Sequence, residues 1–173
     1  GPHRRRGRLT MGELVTIGVP VWQGWAFVAE TLGSIAAQTH RELAVLISVD
    51  GGDERSAEPC RPFLADSRFR MVVQPKRLGW VDNQSWLMAE ARGDFWCYQA
   101  HDDLVVPDYL ETLLAHLRRH PEAAVAYGDV RAFGMGDYLL IQPSVTGTPF
   151  ARQLHLLADH FVGGAYRGVT RIA

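Results

Sequence analysis

The sequence lacks the features that mark metal-stapled, membrane-spanning or nucleic-acid-binding chains. It has two cysteines in 173 residues, Cys60 and Cys97, far apart and outside any CxxC pair, so a zinc site or a disulfide framework is not expected and reduced thiols are favoured. There is no run of 18 or more apolar residues, and we therefore predict no transmembrane segment. Lys and Arg total 18 against 19 Asp and Glu, a formal net charge of -1, so no nucleic-acid partner is predicted.

The first ten residues carry little structural information. A basic cluster spans residues 4–8, but Gly12, Glu13, Gly18 and Pro20 interrupt the apolar residues after it, and no signal-peptide core results. The Gly1-Pro2 start resembles the scar of a cleaved purification tag. We therefore expect residues 1–10 to be a tag remnant or disordered leader and residues 11–173 to form a single domain, since domains commonly have about 100 to 200 residues.

The common phosphate-binding loops are also missing. The first predicted strand-to-helix connection reads VPVWQGW, which fits neither GxGxxG nor GxxxxGK[ST]. This mismatch disfavours dinucleotide-dependent oxidoreductases and P-loop NTPases. The connection also lacks the Gly-rich loop with a basic residue that is expected of a nucleotidyltransferase. Without such a loop, a metal ion would have to balance the charge of a bound phosphate.

Short apolar, β-branched runs alternate with segments of helical periodicity from residue 14 to residue 129. This alternation predicts an α/β fold, a Rossmann-like and mostly parallel sheet with helices on both faces. The predicted strands are 14–21, 43–50, 69–73, 94–99 and 123–127, and the predicted helices are 27–36, 81–91 and 107–119.

Beyond residue 130 the pattern changes. Glycines and prolines surround a strand-like YLLI at residues 138–141, which predicts a hairpin or flap. A short helix is predicted at about 149–160, followed by a glycine-rich end.

Ligands of open α/β sheets bind beyond the carboxyl ends of the strands, which selects residues 20–25, 50–53 and 101–103. Asp102 and Asp103 come after an aromatic strand, and an adjacent carboxylate pair can hold Mg²⁺ or Mn²⁺. They could equally begin the next helix or accept hydrogen bonds in a turn. Trp22 and Trp25 lie in the first loop, where an aromatic ring either stacks on a nucleobase or packs in the core.

Four segments in order resemble the nucleotide-binding half of a family 2 glycosyltransferase with the A-type fold. They are VTIGVPVWQGW, QTHRELAVLISVDGGD, RLGWVDNQSWLMAEARGDFWCYQAHDDLVVPDYLE and HPEAAVAYGDV, and together they cover most of residues 14–130. The resemblance divides the domain into a nucleotide-sugar-binding part, 11–130, and a flap with part of the acceptor region, 131–173, which is short for the family.

The resemblance implies a role for several residues. Pro20 and Trp22 match the loop whose aromatic ring stacks on the base, and Asp50 matches the acid that accepts a hydrogen bond from the base, typically uracil. Asp102 is expected near the ribose and Asp103 on the metal, Mn²⁺ or Mg²⁺. Ala100 replaces the commonest first Asp of the family's DxD-type motif.

Three further assignments stay open at this point. Asn83 belongs to a helix start near the nucleotide or serves only as a cap, and His101 supplements the metal site or is an exposed loop residue. Arg167 and Arg171 either reach a diphosphate or an anionic acceptor, or are solvated.

The resemblance implies transfer of a sugar, with inversion, from a nucleoside diphosphate sugar, UDP-linked in the first instance, to a hydroxyl of a glycan, lipid or protein acceptor. No Asp or Glu follows Asp159, so the general base is Asp159 or, as we expect, lies in residues that this sequence lacks. The alternative is a nucleotide-sugar-binding module that is not itself catalytic. A cytoplasmic location, or the cytoplasmic face of a membrane, is expected from the donor pool, and the sequence leaves a homodimer open.

Overall fold

The computed structural model describes residues 13–133, 138–140 and 168–172, and its centre is a six-stranded sheet. The strand order is β3-β2-β1-β4-β8-β5, and β6 and β7 form a separate two-stranded sheet. The strands are β1 Val15–Val21, β2 Leu43–Val49, β3 Phe69–Val73, β4 Phe95–Tyr98, β5 Val125–Tyr127, β6 Val130–Ala132, β7 Tyr138–Leu140 and β8 Gly168–Arg171. The helices are α1 Val28–Ala36, α2 Glu54–Ala57, α3 Trp80–Ala89 and α4 Tyr109–Arg119, with 3₁₀ turns at Asp50–Gly52 and Glu58–Ala65.

The centre of the sheet is parallel, as the apolar runs predict. Strand β1 pairs with β2 from Val15↔Leu43 to Val21↔Val49, and β4 and β3 extend the sheet in parallel on either side. All seven residues of β1 are buried, which explains why its sequence is mostly apolar. The carboxyl ends of β1, β2 and β4 therefore lie next to each other at one edge.

Helices cover both faces of the sheet. Alternate residues of β1 and β2 pack with the apolar faces of α1 and α4 in the main core, which includes Leu32 and Leu114. On the opposite face α3 places Leu87 against Leu46 and Trp96. Cys97 belongs to the main core, so the adjacent residues Trp96 and Cys97 point to opposite faces of the sheet. The predicted α/β fold class is confirmed.

One strand was missed from the sequence. Strand β8 inserts between β4 and β5 and runs antiparallel to both. Its residues, GVTR, contain no long apolar run that would indicate a strand. They become a strand through tertiary pairing, which the local pattern does not predict. A Cβ at Gly168 would lie 2.3 Å from the carbonyl oxygen of Ala126, so this close approach needs glycine.

The segment after residue 130 agrees in part with the prediction. Strands β6 and β7 form an antiparallel hairpin from Val130↔Leu140 to Ala132↔Tyr138. The predicted helix at 149–160 lies outside the described residues. The division of the chain at residues 10 and 130 stays a prediction. None of the helices that the structure describes has the length and apolar character needed to span a lipid bilayer.

Candidate nucleotide site

A pocket of about 250 Å³ opens at the carboxyl ends of β1, β2 and β4. This is the edge at which open α/β sheets bind ligands. Its lining combines aromatic rings, two carboxylates, one guanidinium and one amide. The lining residues are Pro20, Val21, Trp22, Asp50, Arg77, Trp80, Asn83, Tyr98, Ala100, His101 and Asp102.

The five residues predicted to contact a nucleotide all line this one pocket. They are Pro20, Trp22, Asp50, Asn83 and Asp102. They come from four separate segments of the chain, and the sheet brings them together. Their roles toward a ligand stay predictions. Asp103 is not among the lining residues, and Asp159 lies outside the described part of the chain.

The loop after β1 is held by the turn that begins α2. Gln23 has a left-handed backbone, with φ of 53°, and its N–H donates to Asp53 Oδ2 at 2.8 Å. The next N–H, of Gly24, donates to Ser56 Oγ at 3.0 Å, and that hydroxyl donates to Asp53. These bonds fix the backbone directly after Trp22 and so fix where its ring can lie.

The hydrogen bonds that Asp53 accepts also keep its carboxylate ionised over a wide pH range. Burial raises the pKa of Asp53, but hydrogen bonds from the Ser56 hydroxyl and from the backbone N–H groups of Gln23 and Ser56 outweigh it. The pKa of Asp53 therefore lies below its usual value, and the charge that accepts these bonds persists into mildly acidic solution.

Asp50 ends β2 and is 2% exposed. Its Oδ1 accepts from the Leu78 N–H at 2.6 Å, and its Oδ2 accepts from the Gly79 N–H at 2.9 Å and from Arg77 Nε at 3.0 Å. A carboxylate has about four acceptor positions, so these three bonds leave capacity for one more donor. Asp50 therefore fixes the segment before α3 and can still accept a hydrogen bond from a ligand.

Arg77 is a pocket residue that the sequence analysis missed. Its guanidinium lies over the ring of Trp22, with 3.6 Å between the Arg77 Cζ atom and the ring centroid. The only signal in the sequence is a basic pair before a glycine and an aromatic residue, in PKRLGW, a pattern too common to mark a site.

Asn83 is buried, and its amide orientation is fixed. Ser48 Oγ donates to Asn83 Oδ1 at 2.5 Å, and Asn83 Nδ2 donates to the Ser48 carbonyl at 3.2 Å. Gln74 Nε2 donates to the same hydroxyl at 2.9 Å. Gly79, with φ of 81°, is the N-cap residue of α3, and neither Asp82 nor Asn83 caps the helix. The capping interpretation of Asn83 is therefore wrong.

His101 connects the first loop to the acidic pair. Its Nδ1 lies 3.2 Å from the Pro20 carbonyl oxygen, and because a carbonyl only accepts, Nδ1 carries the proton of this bond. The backbone carbonyl of His101 accepts from the Thr31 hydroxyl at 2.8 Å, and its ring lies against Gly24, where a Cβ would approach within 2.5 Å. These contacts, rather than free exposure, determine the position of His101.

The two acidic residues differ in their surroundings. Asp102 is exposed at the pocket, whereas Asp103 is partly buried, with its carbonyl accepting from Gln99 Nε2 at 3.0 Å. Within the described residues no group of three or more His, Cys, Asp or Glu side chains is placed to hold a metal ion. The protein donors thus fit an ion such as Mg²⁺ or Mn²⁺ only if substrate phosphates and water complete its coordination, which is the usual arrangement for Mg²⁺.

Arg171 does not reach the pocket. Its guanidinium donates to the carbonyls of Leu117 at 2.6 Å and Ala123 at 3.2 Å, and it lies 5.5 Å from the ring centroid of Phe95. Arg171 therefore joins α4 to the sheet, and the interpretation that it reaches a diphosphate in the pocket is wrong. Arg167 lies outside the described residues.

Curated relatives share sequence with this chain over most of its length. It is 25% identical over 128 residues to "Glycosyltransferase GlyG" of Streptococcus pneumoniae, covering 73% of this chain and 42% of the relative. It is 20% identical over 162 residues to "Glycosyltransferase GlyA" of the same organism, covering 94% of this chain and 21% of the relative. The chain therefore spans less than half the length of these relatives.

Solved structures share the fold. The S. aureus TarS 1-349 structure in complex with UDP-GlcNAc has a TM-score of 0.61 at 17% identity, covering 66% of this chain and 33% of that one. The mannosyltransferase PcManGT from Pyrobaculum calidifontis, in complex with GDP-Man and Mn²⁺, has a TM-score of 0.61 at 18% identity, covering 68% of this chain and 35% of that one.

A family model matches most of the chain. Residues 16–169 match the profile described as "Glycosyl transferase family 2", and this range includes every residue that lines the pocket. The chain belongs to glycosyl transferase family 2.

Proposed function

We propose that this pocket binds the nucleoside diphosphate of a sugar donor, and that the protein transfers the sugar to an acceptor hydroxyl with inversion. The observation that carries the proposal is the convergence of Pro20, Trp22, Asp50, Asn83 and Asp102, from four chain segments, on one pocket. A pocket of about 250 Å³ at the carboxyl edge of the sheet suits part of a nucleotide, with the sugar extending outward.

Trp22 and Asp50 suit the pocket to a base. Trp22 offers an aromatic ring, and base stacking on such rings contributes roughly 1–3 kcal/mol per base. Asp50 has acceptor capacity for an imide N–H, which uracil has and cytosine and adenine lack. Guanine also presents a ring N–H, and the solved neighbours carry UDP-GlcNAc and GDP-Man, so the donor class is UDP-linked first and GDP-linked second.

The acidic pair suits the pocket to the diphosphate through a metal ion. The resemblance implies Asp103 on the metal and Asp102 near the ribose, but Asp102 is exposed at the pocket and Asp103 does not line it. We therefore assign the divalent cation, Mn²⁺ or Mg²⁺, to Asp102, with Asp103 beside it. When bound, such an ion neutralises the charge that develops on the departing diphosphate. The family membership and the Mn²⁺ of the PcManGT complex support this assignment.

The proposal assigns no general base. The carboxylates that line the described pocket are Asp50, which is already hydrogen-bonded by Arg77, Leu78 and Gly79, and Asp102. Asp159 stays a prediction, as do a cytoplasmic location, a homodimer and the identity of the acceptor.

The test is calorimetric titration of UDP and of GDP into the whole chain, with Mn²⁺, with Mg²⁺ and with EDTA. Trp22→Ala is expected to weaken UDP binding about 5- to 150-fold, which corresponds to the loss of one stacked base. Trp25→Ala is the matched control, because Trp25 lies in the same loop, is 37% exposed and does not line the pocket.

The proposed role of Asp102 in holding a divalent cation is tested in the same titrations. Asp102→Asn is expected to abolish the difference between Mn²⁺ and EDTA, whereas Asp108→Asn, an exposed aspartate outside the pocket, should leave it intact. A comparable loss on Asp103→Asn alone would move the metal assignment to Asp103. Wild-type protein that binds neither nucleotide under any of these conditions would overturn the donor-site proposal.

A further inference from the structure

Arg77 links the two groups of the pocket that are suited to a base. Its Nε donates to Asp50 Oδ2 at 3.0 Å, while its guanidinium lies over the Trp22 ring at 3.6 Å from the centroid. Trp22 follows β1, Asp50 follows β2, and Arg77 lies in the segment before α3. A single side chain therefore fixes the relative positions of two groups that belong to different strand ends.

The chemistry of this contact is specific to arginine. A planar guanidinium can stack flat on an indole ring and at the same time donate from its edge to a carboxylate. A lysine ammonium can form the ion pair but cannot stack as a plane while it does so. The contact also balances a buried charge, since the Asp50 side chain is 3% exposed while that of Arg77 is 51% exposed.

We infer that Arg77 is a positioning residue for base recognition, acting through Trp22 and Asp50 rather than through the phosphates. This inference rests on the proposed function, because it concerns how the same pocket holds a base. The guanidinium supports one face of the Trp22 ring and orients the Asp50 carboxylate, so both are in place before a nucleotide arrives. Preorganisation of this kind raises affinity because the ordering cost is met in the free protein.

The test is NMR titration of uridine, UDP and inorganic pyrophosphate into the wild type and Arg77→Lys, in Mg²⁺. Arg77→Lys keeps the charge but loses the planar stack. We expect it to weaken the binding of uridine and of UDP by the same factor, about 3- to 30-fold, and to leave the affinity for pyrophosphate unchanged. Arg70→Lys is the matched control, because Arg70 is 48% exposed and forms its own ion pair with Glu90 at 2.7 Å.

The same substitution made in Trp22→Ala protein distinguishes a positioning role of Arg77 from a general loss of stability. In Trp22→Ala protein the Arg77→Lys substitution is expected to cost much less UDP affinity than it does in the wild type, because the ring it supports is gone. Equal urea midpoints for the wild type and Arg77→Lys establish that both are folded.

Three results would overturn the inference. A loss for UDP and pyrophosphate without a loss for uridine would mean that Arg77 contacts the phosphates. Tighter binding by Arg77→Lys would mean that the arginine occupies the place of the base. Unchanged binding of all three ligands would remove Arg77 from recognition altogether. Failure of the wild type to bind uridine or UDP is a different result, since it overturns the proposed function itself.

Discussion

The indole of Trp96 lies directly over Gly18, so closely that a Cβ at position 18 would come within 2.1 Å of the ring. Gly18 is in β1 and Trp96 in β4, on adjacent parallel strands, and both face α3. The absence of a side chain at Gly18 is therefore what allows a tryptophan on the neighbouring strand to fill this layer of the core. Pro20, two residues further along β1, lines the pocket.

The first prediction is that Gly18→Ala destabilises the protein by about 1–3 kcal/mol, because the added methyl forces Trp96 out of its packed position. Urea unfolding measures this as a change in the free energy of unfolding. Gly33→Ala is the matched control. A Cβ at Gly33, within α1, meets no atom within 4 Å, so the substitution should stabilise the protein by about 0.5–1 kcal/mol. Equal stability of Gly18→Ala and wild type would contradict the packing of Trp96 over Gly18.

The second prediction concerns the hydrogen bonds between Ser48 and Asn83. Ser48→Ala and Asn83→Ala should each lower the free energy of unfolding by about 1–3 kcal/mol, because each leaves a buried polar partner unsatisfied. The double variant should lose less than the sum of the two, with a coupling energy of about 0.5–3 kcal/mol.

Ser85→Ala provides the control for this cycle. Its hydroxyl is exposed and donates to the Val81 carbonyl within α3, so its loss should stay within about 0.5 kcal/mol of wild type. Strict additivity of the Ser48 and Asn83 losses would mean that the two side chains are not coupled.

Much of this architecture could be predicted from the sequence, and the gaps have physical causes. Strands β1 and β2 are buried on both faces because helices cover both sides of the sheet, so their sequences are mostly apolar and conspicuous as runs. The residues at their ends, Trp22 and Asp50, could then be placed at one edge without knowing any contact. Strand β8 could not be predicted from the sequence, since its four residues become a strand only through pairing with β4 and β5.

Arg77 shows the same limit within the site. Its contacts with Trp22 and Asp50 depend on the path of the segment before α3, and no local pattern encodes that path. The adjacent carboxylates Asp102 and Asp103 can be identified from the sequence as candidate metal ligands, but only the fold distinguishes Asp102, exposed at the pocket, from Asp103, which is partly buried and does not line it.

The third prediction concerns how the contribution of Asp53 to stability changes in acidic solution. Because the pKa of Asp53 is lowered in the folded protein, its carboxylate contributes stability that is full above its usual pKa near 3.8 and is lost as the pH falls through the folded value. Asp53→Asn should therefore destabilise the protein at pH 7 and lose much of that effect at pH 3.

Unfolding free energies of wild type and variant at the two pH values measure this directly. Asp108→Asn is the control, because Asp108 precedes α4 without forming a capping hydrogen bond. A difference between wild type and Asp53→Asn that is the same at both pH values would show that the carboxylate charge does not hold the Gln23–Gly24 backbone.

The fourth prediction concerns the two thiols, both of which are buried. Burial raises the pKa of Cys60 to about 11, with a smaller opposing effect from the charge of Arg61, and its Sγ donates to the Ser56 carbonyl at 3.3 Å. Thiolates are the reactive form, so at pH 8 the folded protein should react with a disulfide reagent such as DTNB only slowly, whereas unfolded protein should release two equivalents at once. Repeating the reaction on Cys97→Ser assigns any residual rate to Cys60. A fast first equivalent from that variant in the folded state would mean that the segment around Cys60 opens far more readily than its packing against the main core allows.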